Sequence, residues 1–361
     1  MTPIAADFSV LLDMDGRVVH RWLLPGFRIF QARLLPTGRL LALCADASLP
    51  PPPQQVGFDQ PPPPFAQHIR RLGGNATHLR EVDPAGEVVW EYANPAIHHD
   101  MVRLPNGNTL VAEWVEVPSE LEVRVRGGAR RPREKFPRML CDDLVEIDPS
   151  GREVRRVHLY ELLDPVKDAI CPLETRWEWT HLNSLDVFPN GDVLFSCRSN
   201  SRVGIVSDSK LAWKYGAPDV VHQHHASVLA NGNVQIFDNG MHRIGMPYSR
   251  VVEVDPKTSK VAWEYSGEPP EQFFSGHISG AERQPNGNVL ICEGASGRVF
   301  EVTRRGETVW EWITPFSTNN QGRVRAWIFR VYRYAPDYAG LRGLSLDPGP
   351  YADFNRLYGL I

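Results

Sequence analysis

One turn signature, met five times, constrains this chain more than any other feature. It stands at Leu35-Pro36-Thr37-Gly38, Leu104-Pro105-Asn106-Gly107, Phe188-Pro189-Asn190-Gly191, Leu229-Ala230-Asn231-Gly232 and Gln284-Pro285-Asn286-Gly287, and an apolar run follows each time. Proline presets the first central residue of a turn and Asn-Gly accepts positive φ, so each signature predicts a tight hairpin. A second pattern follows the first, as in Leu79–Trp90, Val251–Trp263 and Val299–Trp310, again strand, turn, strand with period-two alternation. Two hairpins per repeat make a four-stranded antiparallel unit, the blade of a β-propeller.

Five whole blades can be counted. The N-terminal stretch Phe8–Trp22 supplies only the second hairpin of another, and Val324–Tyr332 can supply its missing strands. Pairing the two ends leaves no open sheet edge. The sequence therefore predicts an all-β fold: one six-bladed β-propeller domain over residues 1–361, its ring closed by the N- and C-terminal segments. Uneven spacing falls on two insertions. One, at about 49–65, carries Pro50–Pro53 and Pro61–Pro64 and reads as a stiff polyproline II loop. The other, at about 117–139, carries Arg124, Arg126, Arg130, Arg131, Arg133 and Lys135. It reads as a solvated loop, or alternatively as a basic lid for an anionic substrate.

Composition narrows the function classes. Of 361 residues, 42% are apolar and 23% charged, enough to form a core and too apolar for global disorder. A net charge of −4 lacks the clustered positive charge that nucleic-acid and membrane-surface binding rest on. No apolar run has the length of a membrane span. Met1–Asp7 shows neither a basic nor an apolar leader region, so a cytoplasmic location is expected. The five cysteines are scattered without a C-x-x-C, which argues for reduced core thiols rather than a disulfide framework or structural zinc. Oligomeric state is not legible.

The histidines keep phase with the repeat. Seven of twelve (His98, His99, His181, His222, His224, His225 and His277) lie within the eight residues before a turn signature, where chance would place about one. The same phase on successive blades means the same height around one axis, so a ring of imidazoles is predicted at one mouth of a channel. Satisfied structural histidines would explain any one of these, not the set. At the far end of the next strand, eight residues after the turn proline position, stand Glu113, Asp238 and Glu293, and nine residues after stand Arg198 and Asn239. Carboxylates there can orient the imidazoles, complete a metal site, or merely line a polar rim. His20, His68, His78, His158 and His242 are out of phase and read as structural or surface residues. Trp114, Trp177, Trp179 and Phe273 are candidates for stacking on an aryl ring, although packing under loops is the commoner role of such residues.

The segments His98-His99-Asp100, His181-Leu182-Asn183-Ser184 with Ser196-Cys197-Arg198, and Gln223-His224 with Ile236-Phe237-Asp238-Asn239-Gly240 resemble the arylsulfate sulfotransferases. These are bacterial six-bladed propellers that move a sulfuryl group between phenols without a nucleotide sulfate donor. The resemblance runs from the first repeat to about Trp312. It implies a sulfated nucleophile at His224, supported by His181, Asn183, Arg198 and His98 or His99. His277 and Asn239 are added as substrate-binding candidates. Small aromatic donors and acceptors would be the partners, with no cofactor, no nucleic acid and no membrane.

The chemistry agrees with that expectation. A neutral imidazole is a competent nucleophile near neutral pH, and a covalent intermediate divides transfer into two steps with ping-pong kinetics. Two other readings stay open. A metal-dependent propeller lyase or hydrolase would hold a divalent ion at His98, His99, His181, His224 and His277 with Glu113, Asp238 and Glu293. A non-catalytic propeller would bind partners on its rim.

Overall fold

Every turn signature closes in the same way. Leu104 N–H donates to Asn108 O at 2.8 Å, Gly107 N–H donates to Leu104 O at 3.0 Å, and Gly107 takes a φ of 88°, which an L side chain would resist. The pattern recurs at Leu35, Phe188, Leu229 and Gln284. The structure, a computed structural model, describes residues 1–49, 65–70, 72–129, 138–320 and 323–360. The proline-rich runs Pro50–Pro53 and Pro61–Pro64, and Arg130–Lys135 of the basic insertion, lie outside the described residues.

The fold is all-β, a β-propeller of four-stranded antiparallel blades, and five such blades are present among the described residues. In chain order, blade 1 comprises Phe27–Leu34, Leu40–Asp46, His78–Val82 and Val88–Ala93, and blade 2 comprises Ile97–Arg103, Thr109–Glu116, Leu140–Ile147 and Glu153–His158. Blade 3 comprises Leu182–Val187, Val193–Cys197, Arg202–Ser207 and Lys210–Gly216. Blade 4 follows with His224–Val228, Val234–Asp238, Arg250–Asp255 and Lys260–Ser266, and blade 5 with Gly280–Arg283, Val289–Glu293, Arg298–Val302 and Thr308–Ile313. Two compact units carry them. Met1–Leu49, Thr77–Ala93 and Ile278–Ile361 hold blades 1 and 5, and Pro50–Ala76 with Asn94–His277 hold blades 2 to 4. No helix among the described residues is long and apolar enough to cross a membrane.

Among the described residues the expected sixth four-stranded blade is not formed. Phe8–Leu12 and Val18–Leu23 pair as a two-stranded sheet. The segment that was to complete it is spent elsewhere: Arg323–Arg325 pairs with Thr318–Asn320, and Ile328 makes a single bridge to Pro3. Proline has no N–H to give a ladder, which limits the pairing at that position.

Within the second unit, apolar layers join successive blades. Leu110, Ala112 and Leu144 of blade 2 pack with Leu185, Phe195 and Cys197 of blade 3. Val203 and Ile205 of blade 3 pack with Ile236 and Val252 of blade 4. The first strands of these blades lie side by side, that of blade 3 in the middle. Buried and half-buried side chains set their offset: Asp100 accepts from Leu185 N–H at 2.9 Å, Ser184 Oγ from Ala226 N–H at 2.8 Å, and half-buried Asp186 from Val228 N–H at 2.8 Å. Such fully paired polar groups fix one register in an interior where a missing partner costs about 1–3 kcal/mol.

Candidate active site

A bulge at the start of each first strand in blades 2 to 4 aims the in-phase side chains. Pairing with the second strand slips between His98 and Met101, between Leu182 and Ser184, and between His224 and Ala226. His99, His181, His222 and His225 take positive φ of 52°, 55°, 59° and 35°. Non-glycine residues hold such angles at a cost, and the surroundings must over-determine them. Here the cost is borne at four histidines.

His224 is buried, and its Nδ1 lies 2.8 Å from Asn239 Oδ1. Asn239 Nδ2 donates to Ser275 O at 2.7 Å, which orients the amide so that its oxygen faces the imidazole. Nδ1 is therefore the protonated nitrogen and Nε2 carries the lone pair. Burial first, then Arg198, His222 and His181, hold His224 well below the ordinary imidazole pKa, so the ring is neutral at pH 7.

Three further groups converge on it. His99 is buried, its ring centroid 4.6 Å from that of His181, and burial with the nearby His181, His98, His224 and Arg198 depresses its pKa strongly. Gly74 makes room for that ring, since a Cβ there would lie 2.3 Å from His99 Cε1. His181 Nδ1 contacts Glu178 Oε2. Burial raises the Glu178 carboxyl, yet His181 and Arg198 together bring it below its usual range. Arg198 reaches Glu174 Oε2 only at 3.5 Å, and its Nε is buried with no hydrogen-bond partner among the described residues.

Asn183, fully buried at the blade 3 bulge, donates from Nδ2 to Gln223 O at 2.8 Å, tying the strand to the residue before His224. His98 stands behind His99. It stacks on Trp114 with centroids 4.0 Å apart, its Nε2 lies 3.0 Å from Asp142 Oδ1 and its Nδ1 2.8 Å from His99 Nδ1. Of the doublet, His99 is thus the member beside His181. His225 is buried at the blade 4 bulge, and His277 is half-buried, its carbonyl accepting from Ser275 Oγ at 3.0 Å.

The in-phase carboxylates pair with arginines. Glu113 pairs with Arg156 Nη2 at 2.8 Å, Asp238 with Arg250 Nε at 2.8 Å and Arg243 Nη2 at 2.6 Å, and Glu293 with Arg298 Nη1 at 3.3 Å. Strand alternation is the reason. Position eight after the turn faces the arginines of the sheet, and position nine, held by Arg198 and Asn239, faces the histidines.

Three acidic residues that sequence reasoning passed over serve instead: Glu174, Glu178 and Asp142. Glu174 and Glu178 precede blade 3 outside the repeat, where phase is silent, and the only local signal was the Glu178-x-x-His181 spacing. His242, expected to be structural or surface, stands with them. His222 Nε2 lies 2.5 Å from Glu174 Oε1 and His242 Nδ1 3.9 Å from the same oxygen. Burial, partly offset by Glu174, brings His222 down to about 4, and burial lowers His242. Glu174, raised by burial but pulled down by His222 and Arg198, lies at about 2. Among the described residues, these three form the cluster whose geometry can hold a metal ion. Trp114, Trp179 and Phe273 are buried in packing roles, and Trp177 is half-buried against His68 at 5.4 Å between centroids.

Blades that bring buried imidazoles, a guanidinium and an oriented amide together define a histidine-centred propeller protein. The chain belongs to the arylsulfotransferase family, whose model matches residues 6–221 and 220–324. It is 24% identical to arylsulfate sulfotransferase AssT of Escherichia coli O6:H1, over 62% of this chain and 50% of that protein. It is 23% identical to AssT of Lelliottia amnigena, with the same coverage of 62% and 50%. The chain thus spans about half the length of the curated relatives it matches. A crystal structure of a Bacteroides caccae protein of unknown function shares the fold, with a TM-score of 0.53 and 13% identity over 86% of this chain and 90% of that one.

Proposed function

We propose that this protein transfers a sulfuryl group from an aryl sulfate to a phenolic acceptor, with His224 as the transient carrier. The observation that carries the reading is the pairing of His224 with Asn239 beside an arginine whose buried Nε has no hydrogen-bond partner among the described residues. Family membership supports it.

In the first half-reaction the Nε2 lone pair attacks sulfur, an N–S bond forms, and the S–O(aryl) bond breaks with its electron pair going to the leaving phenolate. Arg198 faces the equatorial sulfuryl oxygens, where charge builds, and neutral His99 adds a donor. His181, oriented by Glu178, hands a proton to the phenolate and later takes one from the incoming phenol. That phenol oxygen then attacks sulfur, and the N–S electron pair returns to Nε2. Asn239 does not touch the substrate. It holds the tautomer in which Nε2 can attack.

The test is p-nitrophenol release from p-nitrophenyl sulfate, with and without an added phenol. Release that needs the acceptor, gives parallel double-reciprocal lines and falls at least about 10⁴-fold in His224→Ala is expected. Intersecting lines, or an active His224→Ala variant, would sink the proposal.

A further inference from the structure

We propose that Glu174, His222 and His242 form a binding site for one divalent first-row cation of the zinc class, distinct from the sulfuryl site. This goes beyond the transfer reading and does not depend on it. The donors come from three stretches of chain: the strand Ile170–Thr175, the residue two before the first strand of blade 4, and the loop between that blade's second and third strands. They nevertheless converge. His222 Nε2 lies 2.5 Å and His242 Nδ1 3.9 Å from Glu174 Oε1, and all three ligand atoms lie within 4.8 Å of one another. Ligands around a tetrahedral ion stand about 3.3 Å apart for bonds of about 2.0–2.1 Å. Each contact to Glu174 Oε1 therefore needs less than about 1 Å of adjustment to seat an ion.

The surroundings suit an ion better than an ordinary hydrogen-bonded pair alone. Two imidazoles and one carboxylate are the mixed nitrogen and oxygen set that zinc-class ions take, and they are too nitrogen-rich for Mg²⁺ or Ca²⁺. The backbone at His222 is fixed before any ion arrives: its main-chain N–H donates to Ser201 Oγ at 3.0 Å, and its φ of 59° is held by the surrounding structure. The side chains of His242 and Glu174 are 15% and 12% exposed, which gives the ion a way in and leaves a coordination position to water. The neighbours set the terms of competition. The Cys171 thiol lies 3.4 Å from His242 Nδ1 and yields that nitrogen to the ion, while Arg198 holds the other carboxylate oxygen of Glu174 at 3.5 Å.

The experiment uses the full chain, stripped with chelator, dialysed and titrated with Zn²⁺ against a chromophoric indicator, with metal content measured in parallel. One equivalent is expected per chain. His242→Ala and Glu174→Gln should weaken binding at least about 100-fold, and His242→Cys, which restores a zinc donor, should recover most of it. Circular dichroism confirms that each variant is folded. His224→Ala should keep the full equivalent. Failure of the wild-type chain to take up zinc, or equal affinity in His242→Ala, would overturn the proposal. So would loss of the ion in His224→Ala alone, since that would put it on the sulfuryl site. No sulfated substrate enters the measurement, so its outcome stands apart from that of the transfer assay.

Discussion

Blades 1 and 4 follow one rule up to the last residues of their second strands, and there they part. Both have the same glycine turn, the same slip near the start of the first strand, and four antiparallel strands. Eight and nine residues after the turn position, blade 1 has Cys44 and Ala45, and blade 4 has Asp238 and Asn239. Cys44 is buried in an apolar cluster with Leu34, Leu40 and Val82. Asp238 is buried in an ionic one with Arg243 and Arg250, and it also accepts Val221 N–H at 2.8 Å. The repeat thus supplies a frame that tolerates either solution. Function is written at few positions, and stability is shared by many.

The comparison can be broken at those positions. The largest effect after loss of His224 is expected at Asp238→Ala, which strands two arginines and a backbone N–H and should lower unfolding free energy by about 3–5 kcal/mol in chemical denaturation. Arg198→Ala, one residue further along the equivalent strand of blade 3, should do the opposite. Its folding should stay near wild type while kcat for p-nitrophenyl sulfate falls about 10²–10³-fold, as when one preorganised charge donor is removed. An unchanged kcat would remove Arg198 from the sulfuryl site.

Asn239→Ala should cost about 10–100-fold in kcat with KM little altered, because it frees the His224 tautomer rather than removing a substrate contact. A change confined to KM would contradict that role. Acid should destabilise the second unit of the chelator-stripped protein. His222 lies at about 4 when folded against an ordinary 6.5, so the unfolded chain takes up the extra proton first. Stability therefore falls as pH drops through about 6.5 towards 4, and His222 alone accounts for about 2 kcal/mol between pH 7 and 5. His99 and His224, also depressed, act in the same direction. Replacing His222 by Asn should flatten the curve. The smallest effect belongs to blade 1: Cys44→Ala should cost about 1 kcal/mol, the loss of one small buried group.

The sequence by itself determined the blades. Pro36, Pro105, Pro189, Pro285 and the glycines after them act through φ alone, a local property that needs no tertiary partner. It also gave the histidines before blades 2 to 4 a common phase, since phase within a repeat is a count along the chain. Tertiary structure decided the rest. It put His99 rather than His98 beside His181, because the bulge after His98 breaks the two-residue alternation that counting assumes. The side of the strand also sent Glu113, Asp238 and Glu293 to arginines, and Arg198 and Asn239 to the imidazoles. Only the folded chain brings Glu174 and Glu178 to His222 and His181. Contacts made across blades by residues outside the repeat leave no periodic trace, and the unfinished sixth blade follows likewise from which partner Arg323–Arg325 finds in space.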